Sequence, residues 1–492
     1  MRRGSGDFAG TLRSGFCALA LTIPHAGWAQ GLTPPVIPPS PWFVEAPAAA
    51  PAAPAAEPTL WETGVGKSYL IPALEIIGFD FLLNRFNNAY FGCCDYNVSS
   101  SSIRRNLRSS WVTDNDPFRV NQLGHPYQGS MYHGFARSAG MNYWESLGYT
   151  FAGSIMWEIA GETTLPSKND QVASGIGGTF LGEALFRMSS LVLENANGTP
   201  RFWRELGAAV ISPSTGFNRL AFGERYDSIF SSRDATYYSR FALAVSGATQ
   251  NTSGPSTKSG NTELLADFAI DYGLPGKPDY TYKRPFDYFA FQATASTENV
   301  FENVMTRGLL LGTDYGAGKN YRGAWGLYGS YDYLSPQFFR VSTTALSLGT
   351  TGQLWLSNTI ALQGTATVGV GYGAVGTLRG EVGGDHHYGV APQALLALRL
   401  IFGETASLDV TGREYFVTRV SDVDRAGHDN IARVDAALTW RIHKQHAVAI
   451  KYLWNRRDAT FSDLGDVKQT RATIGLYYTL LGHDRFGATE WR

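Results

Sequence analysis

The sequence predicts a mainly β protein, an antiparallel transmembrane β-barrel of about 12 strands preceded by an α-helical domain. Three observations predict it. Hydrophobicity alternates with period two from about Thr236 nearly to the end; the alternating runs reach ten or more residues with aromatic rings at the ends of their apolar faces; and the N-terminus carries an export pattern. Composition agrees: charged residues are 17% of the chain, against roughly 25% in ordinary soluble domains, while aromatics reach 13%. A formal net charge of −1 offers no broad electropositive surface, so nucleic acid is not an expected partner.

At the N-terminus, Arg2, Arg3 and Arg13 precede an apolar run from Gly15 to Ile23, and Gly27-Trp28-Ala29 offers small residues at both cleavage-determining positions. Residues 1–29 are therefore expected to be a signal peptide. Residues 30–59 are rich in proline and alanine and hold too little large apolar surface to repay ordering, which predicts a semi-rigid periplasmic linker. Cys93 and Cys94 are adjacent, and neighbouring cysteines rarely reach disulfide geometry, so two thiols are expected.

Residues 60–232 read as helical. Apolar faces run through Ser68–Phe86, Met141–Glu162 and Gly175–Glu194, but none gives the uninterrupted apolar run of roughly 18 residues that a spanning helix needs. These helices must bury their faces against each other, a barrel wall or a lipid surface. Asp116-Pro117 predicts a capping aspartate before a helix start.

Residues 233–483 are the expected barrel. Tyr321, Gly323, Trp325, Leu327, Gly329, Tyr331 and Tyr333 share one face, with Arg322, Ser330 and Asp332 on the other; residues 432–442 and 469–480 repeat the scheme. The strands read as 236–247, 262–273, 286–297, 303–315, 321–333, 337–355, 359–372, 388–401, 404–419, 429–442, 446–457 and 468–481. Short connections near 356–358, 402–405 and 444–445 alternate with long ones near 373–388, 420–428 and 459–466, as tight periplasmic turns alternate with extracellular loops. Asp267, Asp271, Arg399, Asp409, Arg413, Arg433, Asp435, Arg441, Lys451 and Arg471 fall on the lumen face, where mixed signs predict an ion-pair ladder rather than a selective filter. Glu414 falls on the lipid face, near a strand end where its cost is smaller.

Several motifs dissolve under their chemistry. Gly64–Tyr69 lacks the glycine five positions before Gly66 that a phosphate loop requires. Asp385, His386 and His387 are adjacent, cannot easily converge on one ion, and read as a polar loop; no metal or cofactor site is assigned. No Gly-x-Ser-x-Gly elbow occurs. The stretch His125–Glu162 is the richest in chemistry. Glu158 and Glu162 stand four apart on one helical face, and buried carboxylates of this kind can move protons with His125 or His133 nearby. His125, Glu158 and Glu162 are accordingly the candidate catalytic residues. The plainer reading is packing: Gly148, Gly153, Gly178 and Gly182 permit close helix approach, and Glu183 with Arg187 forms a helix-stabilising pair.

The segments "TDNDPFRVNQLGHPYQGSMYHGFARSAGMNYWESLGYTFAGSIMWEIAGE" and "PSKNDQVASGIGGTFLGEALFRMSSLVLE", Thr113 to Glu194, resemble an uncharacterised bacterial outer-membrane family with a domain of unknown function (DUF3943-like). The resemblance implies location in the cell outer membrane and brings no catalytic set. The functional expectation is an outer-membrane barrel with a periplasmic or lumen-plugging helical domain, a gated channel or envelope-assembly component in contact with outer-membrane lipids. The alternatives are an enzyme acting on lipid or glycan and a platform recruiting a periplasmic protein partner.

Overall fold

The computed structural model describes residues 61–491 apart from 62, 92–93, 115, 196–197, 253–261, 298, 337–338, 377–385, 419–426, 462–464 and 484. The expected signal peptide, the linker, Cys93 and Asp385 lie outside these residues. Among the described residues eight α-helices come first: α1 (Leu70–Phe91), α2 (Ser100–Asn106), α3 (His125–Ser138), α4 (Tyr143–Ala160), α5 (Lys168–Asp170), α6 (Gly178–Glu194), α7 (Arg201–Ile211) and α8 (Pro213–Phe222). Asn142 starts α4 with a capping box, its side chain accepting from the Trp144 and Glu145 amides while Glu145 returns a bond to the Asn142 amide. π-helical turns at Val120–Gly124 and Gln171–Gly177 lead into α3 and α6. Asp116 does not cap; the residue before the first helical turn is Pro117, and the aspartate's carboxylate serves another place described below.

Packing of α3 on α6 needs glycine. A Cβ on Gly178 would stand 2.6 Å from the Gly129 Cα, and one on Gly182 would stand 2.8 Å from the His133 Cβ, so the small-xxx-small spacing marks the helix crossing. Gly153 likewise faces Ile76 and Tyr132, whereas Gly148 faces nothing within 4 Å and takes no part in helix approach. α3 and α6 run one way, α1 and α4 the other: the Ser68 amide donates to Ala139 O at 3.1 Å at one end, and Asn84 Nδ2 donates to Gly161 O at 2.8 Å at the other.

The strands are β1 (Tyr237–Thr252), β2 (Thr262–Tyr272), β3 (Phe289–Ser296), β4 (Asn303–Ala317), β5 (Tyr321–Leu334), β6 (Val341–Trp355), β7 (Ile360–Gly376), β8 (His386–Phe402), β9 (Ala406–Thr418), β10 (Gly427–His443), β11 (His446–Phe461) and β12 (Gly465–Leu481). Each pairs antiparallel with the next, and β12 pairs with β1 from Arg240↔Leu481 to Thr252↔Gln469, closing the barrel. Closure leaves no edge of unpaired backbone groups. The end holding Tyr237 and Leu481 is called here the terminal end, and the opposite one the distal end.

Side chains that cross the interior fix which face is inward. Arg399 on β8 reaches Asp271 on β2 at 2.8 Å and Asp409 on β9 at 2.6 Å. Arg433 and Lys451 hold Asp435 at 3.1 and 3.2 Å, and Arg471 holds Glu263 at 2.7 Å. The ion-pair ladder is therefore real. Glu414, paired across the ladder with Ala394 and Ala432, is exposed on the outward face as its register requires.

That assignment of faces corrects the expected place of the helices. They are neither in the lumen nor beneath its mouth but on the outer wall of the barrel. Phe268, Ile270, Tyr272, Phe289, Phe291, Leu310, Tyr331, Tyr333, Tyr372 and Tyr388 project outward, opposite Asp271, Ser330 and Asp332, and join Phe118, Tyr143, Phe180, Leu181 and Met188 of the helical region in one apolar cluster. α6 descends along the wall. Gly177 abuts Thr344 toward the distal end, Phe180 covers Gly329, and Asn195 Nδ2 donates to the Tyr237 hydroxyl at 3.1 Å at the terminal end. The stretch Lys168–Glu194 is long and apolar enough to cross a membrane, and 78% of its apolar window is buried inside the protein.

What fills the lumen comes from elsewhere. Near the distal end Leu334, Phe339, Val341, Val375, Val417 and Ile431 form an apolar layer. At the terminal end the chain after β12 turns back into the mouth: Phe486 is fully buried under Tyr238 and Arg441, Gln353 Nε2 and Trp355 Nε1 donate to Thr489 O at 2.8 and 3.2 Å, and Gln363 Nε2 donates to Gly487 O at 2.7 Å.

Candidate functional site

Three places concentrate chemistry, and two lie in the helical region. Toward the distal end, His125 at the start of α3, Glu158 near the end of α4 and Asp170 in α5 converge, each with a ligand-type atom within 4.8 Å of the others, and each buried. The two π-helical turns bring this about: an extra residue per turn rotates His125 toward Ser174, whose Oγ lies 3.2 Å from His125 Nδ1. Nε2 of the same ring faces Asp170 Oδ2 at 3.7 Å. Ser167 serves both acids, its amide donating to Glu158 Oε2 at 2.8 Å and its hydroxyl bonding Asp170. Asn169 Nδ2 donates to Asp170 Oδ1 at 3.0 Å and to the Tyr388 hydroxyl at 2.8 Å, tying the cluster to the barrel wall.

Of the three sequence candidates, His125 and Glu158 meet, and Glu162 lies beside them. Its oxygens accept from Trp157 Nε1 at 2.6 Å and Thr164 Oγ1 at 2.8 Å, and burial raises its pKa above the ordinary carboxylate value, with His125 acting in the opposite direction. Asp116 also turns toward this place; burial, reinforced by Asp114, pushes its carboxyl up to about 6. Asp170 escaped the sequence reading because its neighbours Ser167 and Asn169 give it the look of a helix start. The signal was present, since Asp170 stands two residues after Lys168 in the second of the two family-like segments.

The second place lies two turns along α3. His133, Arg137 and Arg187 surround Glu183: His133 Nε2 is 3.1 Å from Oε2, Arg137 Nε donates to Oε2 at 2.7 Å, and Arg187 Nε donates to Oε1 at 2.8 Å. Arg187 continues to Asp287 at 3.2 Å in the β2–β3 connection, so the buried charges pin α6 to the barrel. Arg233 and Arg284 also reach Asp287, so among the described residues four arginines face two carboxylates there, and the Nδ1 of His133 has no hydrogen-bond partner. His133 belongs to this network and not to the cluster around His125.

The third place is the lumen. A cavity of about 150 Å³ lies among Arg240, Asp271, Arg399, Asp409, Asp435 and Lys451, between the distal apolar layer and the C-terminal segment. His387 lies on the inward face with Nε2 3.1 Å from Asp429 Oδ2, while His386 turns outward onto Phe118, so these two neighbours do not converge.

Residues 110–214 match the family model of a domain of unknown function, DUF3943. The match runs from before α3 to the start of α8 and takes in both buried clusters. Among curated proteins none matches the chain. Among solved structures, the chain is similar to the NanC porin, at 8% identity over 48% of this chain and 98% of that one, with a TM-score of 0.25. It is also similar to the channel DcaP of Acinetobacter baumannii (6% identity, 50% and 97% covered, TM-score 0.24) and to the P. putida toluene transporter TodX (9% identity, 52% and 91% covered, TM-score 0.21).

Proposed function

We propose that this is an outer-membrane protein in which a closed barrel serves as the anchor for a helical module that works at the lipid boundary, as an envelope-assembly component rather than an open pore. The observation that carries the reading is the apolar surface left on the module after it has covered the wall. On α1, a helix of 22 residues, Leu70, Leu74, Ile77 and Phe81 are 67%, 57%, 52% and 63% exposed and form one stripe over its first half, while Tyr90, 70% exposed, lies on the opposite face near its end. At 1.5 Å per residue such a helix is about 33 Å long, close to the ~30 Å of a bilayer's hydrocarbon core. Water would penalise that stripe, and lipid would not. Barrel strands not covered by helices present the same kind of surface: Leu243 and Val245 on β1, Ile450 on β11 and Leu476 on β12 are exposed and outward.

In this reading the terminal end faces the periplasm and outer-membrane lipid is the partner of the module. Spin labels on single cysteines at Leu74 and Phe81, in protein reconstituted into bilayers, test it. Relaxation by oxygen exceeding that by a water-soluble nickel chelate is the expected result. The reverse at both sites would refute the lipid boundary.

A channel is the second reading, favoured by the charged central cavity and by the C-terminal segment that closes its terminal mouth. Bilayer recordings on the full chain and on a chain ending at Gly482 distinguish it. A channel requires the shortened chain to conduct more; silence from both would exclude it.

A further inference from the structure

We infer that His125, Glu158 and Asp170 form a binding site for one divalent transition-metal ion of the Zn²⁺ or Mn²⁺ class. The donors are an imidazole nitrogen and two carboxylates from three separate elements, a mixed nitrogen and oxygen set that suits borderline first-row metals better than Mg²⁺ or Ca²⁺, which take oxygen ligands. All three side chains are at least nine-tenths buried, at 5%, 4% and 2% exposure.

Two independent features point to an ion. The first is uncommitted ligand atoms. Glu158 Oε2 takes the Ser167 amide, and no hydrogen bond among the described residues reaches Oε1; Ser174 holds His125 Nδ1, and none reaches Nε2. A ring whose Nδ1–H rests on Ser174 presents a bare Nε2, and a hydrogen bond at the far nitrogen is what orients metal-bound histidines. Near them, fully buried Asn121 has a side-chain oxygen with no partner, on an amide whose nitrogen donates to the same Tyr388 hydroxyl that receives Asn169.

The second feature is missing positive charge. Glu183, equally buried and equally beside a histidine, is matched by two arginines. Among the described residues no lysine or arginine pairs with Glu158, Glu162 or Asp170. Carboxylates gathered in a low-dielectric place stay charged only with a cation beside them, and the protein that pairs arginines with the carboxylate at one end of α3 pairs none at the other among the described residues. A divalent ion fills that role and ties α3, α4 and α5 together. The inference does not depend on the lipid-boundary reading, because it concerns the interior of the module alone.

The test uses the full-length chain in detergent, stripped with chelator and dialysed. Titration with Mn²⁺, followed by loss of the free-ion electron paramagnetic resonance signal, is expected to show one site per chain that Zn²⁺ displaces and that excess Mg²⁺ does not. Glu158→Gln and Asp170→Asn are expected to weaken binding at least tenfold, and Glu205→Gln, outside the cluster, to leave it unchanged. Near-ultraviolet circular dichroism reports whether each variant is folded. No Mn²⁺ or Zn²⁺ site in the unsubstituted chain, equal displacement by Mg²⁺, or folded variants that bind as tightly as the parent would each overturn the assignment. The first two results are read without any variant.

Discussion

Replacing Glu183 by glutamine keeps the shape of the side chain and removes its charge from a place with no exposure to solvent. The consequence can be worked from its partners. Arg187 retains Asp287 at 3.2 Å, so half of its compensation survives. Arg137 loses the one carboxylate it touches among the described residues and keeps Met141 O at 2.5 Å and the faces of Phe186 and Phe230 at 4.5 and 4.9 Å. A cation left buried without its counterion costs about 3–5 kcal/mol, and the cost falls on the seam between α3 and α6. Urea titration in detergent with pulse proteolysis, following release of the helical region from the barrel, is the assay. Glu183→Gln is expected to lose most of that amount, and adding Arg137→Met to regain a large part of it, because an apolar side chain of similar length leaves no charge to solvate. A loss below about 1 kcal/mol, or a double variant no more stable than the single one, would refute the view that this network is coupled through an obligatory carboxylate.

Other consequences are simpler. Gly178→Ala is expected to cost about 1–3 kcal/mol by overpacking, since its Cβ would meet the Gly129 backbone at 2.6 Å, whereas Gly148→Ala, with nothing within 4 Å, is expected to be neutral or to stabilise α4 by about 0.5–1 kcal/mol; the same proteolysis assay ranks them. Phe486→Ala removes a fully buried ring from the terminal mouth and is expected to increase protease access to the segment after Gly482 while leaving the barrel's heat-modifiable electrophoretic mobility intact. An unchanged cleavage rate would show that the ring does not hold the segment in place.

The barrel was legible because its physics is local. Alternation in residues 321–333 assigns a face to every side chain without knowledge of the partner strand, and the observed β5, Tyr321–Leu334, follows the expected run almost residue for residue. Charges on the lumen face paired as their signs implied. The site was legible by half. His125 and Glu158 lie 33 positions apart, and the 3.6-residue period of a regular helix gives no means of bringing them together; two π-helical turns and a short connecting helix do so, and neither leaves a period in the sequence. The folding back of Phe486 was hidden for a similar reason, since so short a segment after β12 has no periodicity to read.

The position of the helices shows where alternation stops being informative. An apolar outward face satisfies a strand equally well whether lipid or protein covers it, so period two cannot distinguish the covers. Residue type can. The strands exposed to solvent or lipid carry mainly aliphatic side chains at mid-strand, such as Val245, Ile450 and Leu476, with the exposed Tyr452 beside them, whereas the covered ones carry Phe268, Phe291, Tyr331 and Tyr372. A tyrosine hydroxyl surrounded by hydrocarbon lacks a partner, a loss comparable to burying any unsatisfied polar group. Tyr331 avoids it by donating to Gln122 O at 2.5 Å, and Tyr388 by receiving Asn121 and Asn169 at 3.1 and 2.8 Å. Tyrosines pointing outward along several neighbouring strands therefore imply a protein cover with polar groups of its own. In this chain the preceding helical region supplies it, and the hydroxyl that fastens the cover at Tyr388 is the same one that steadies Asn169 beside Asp170.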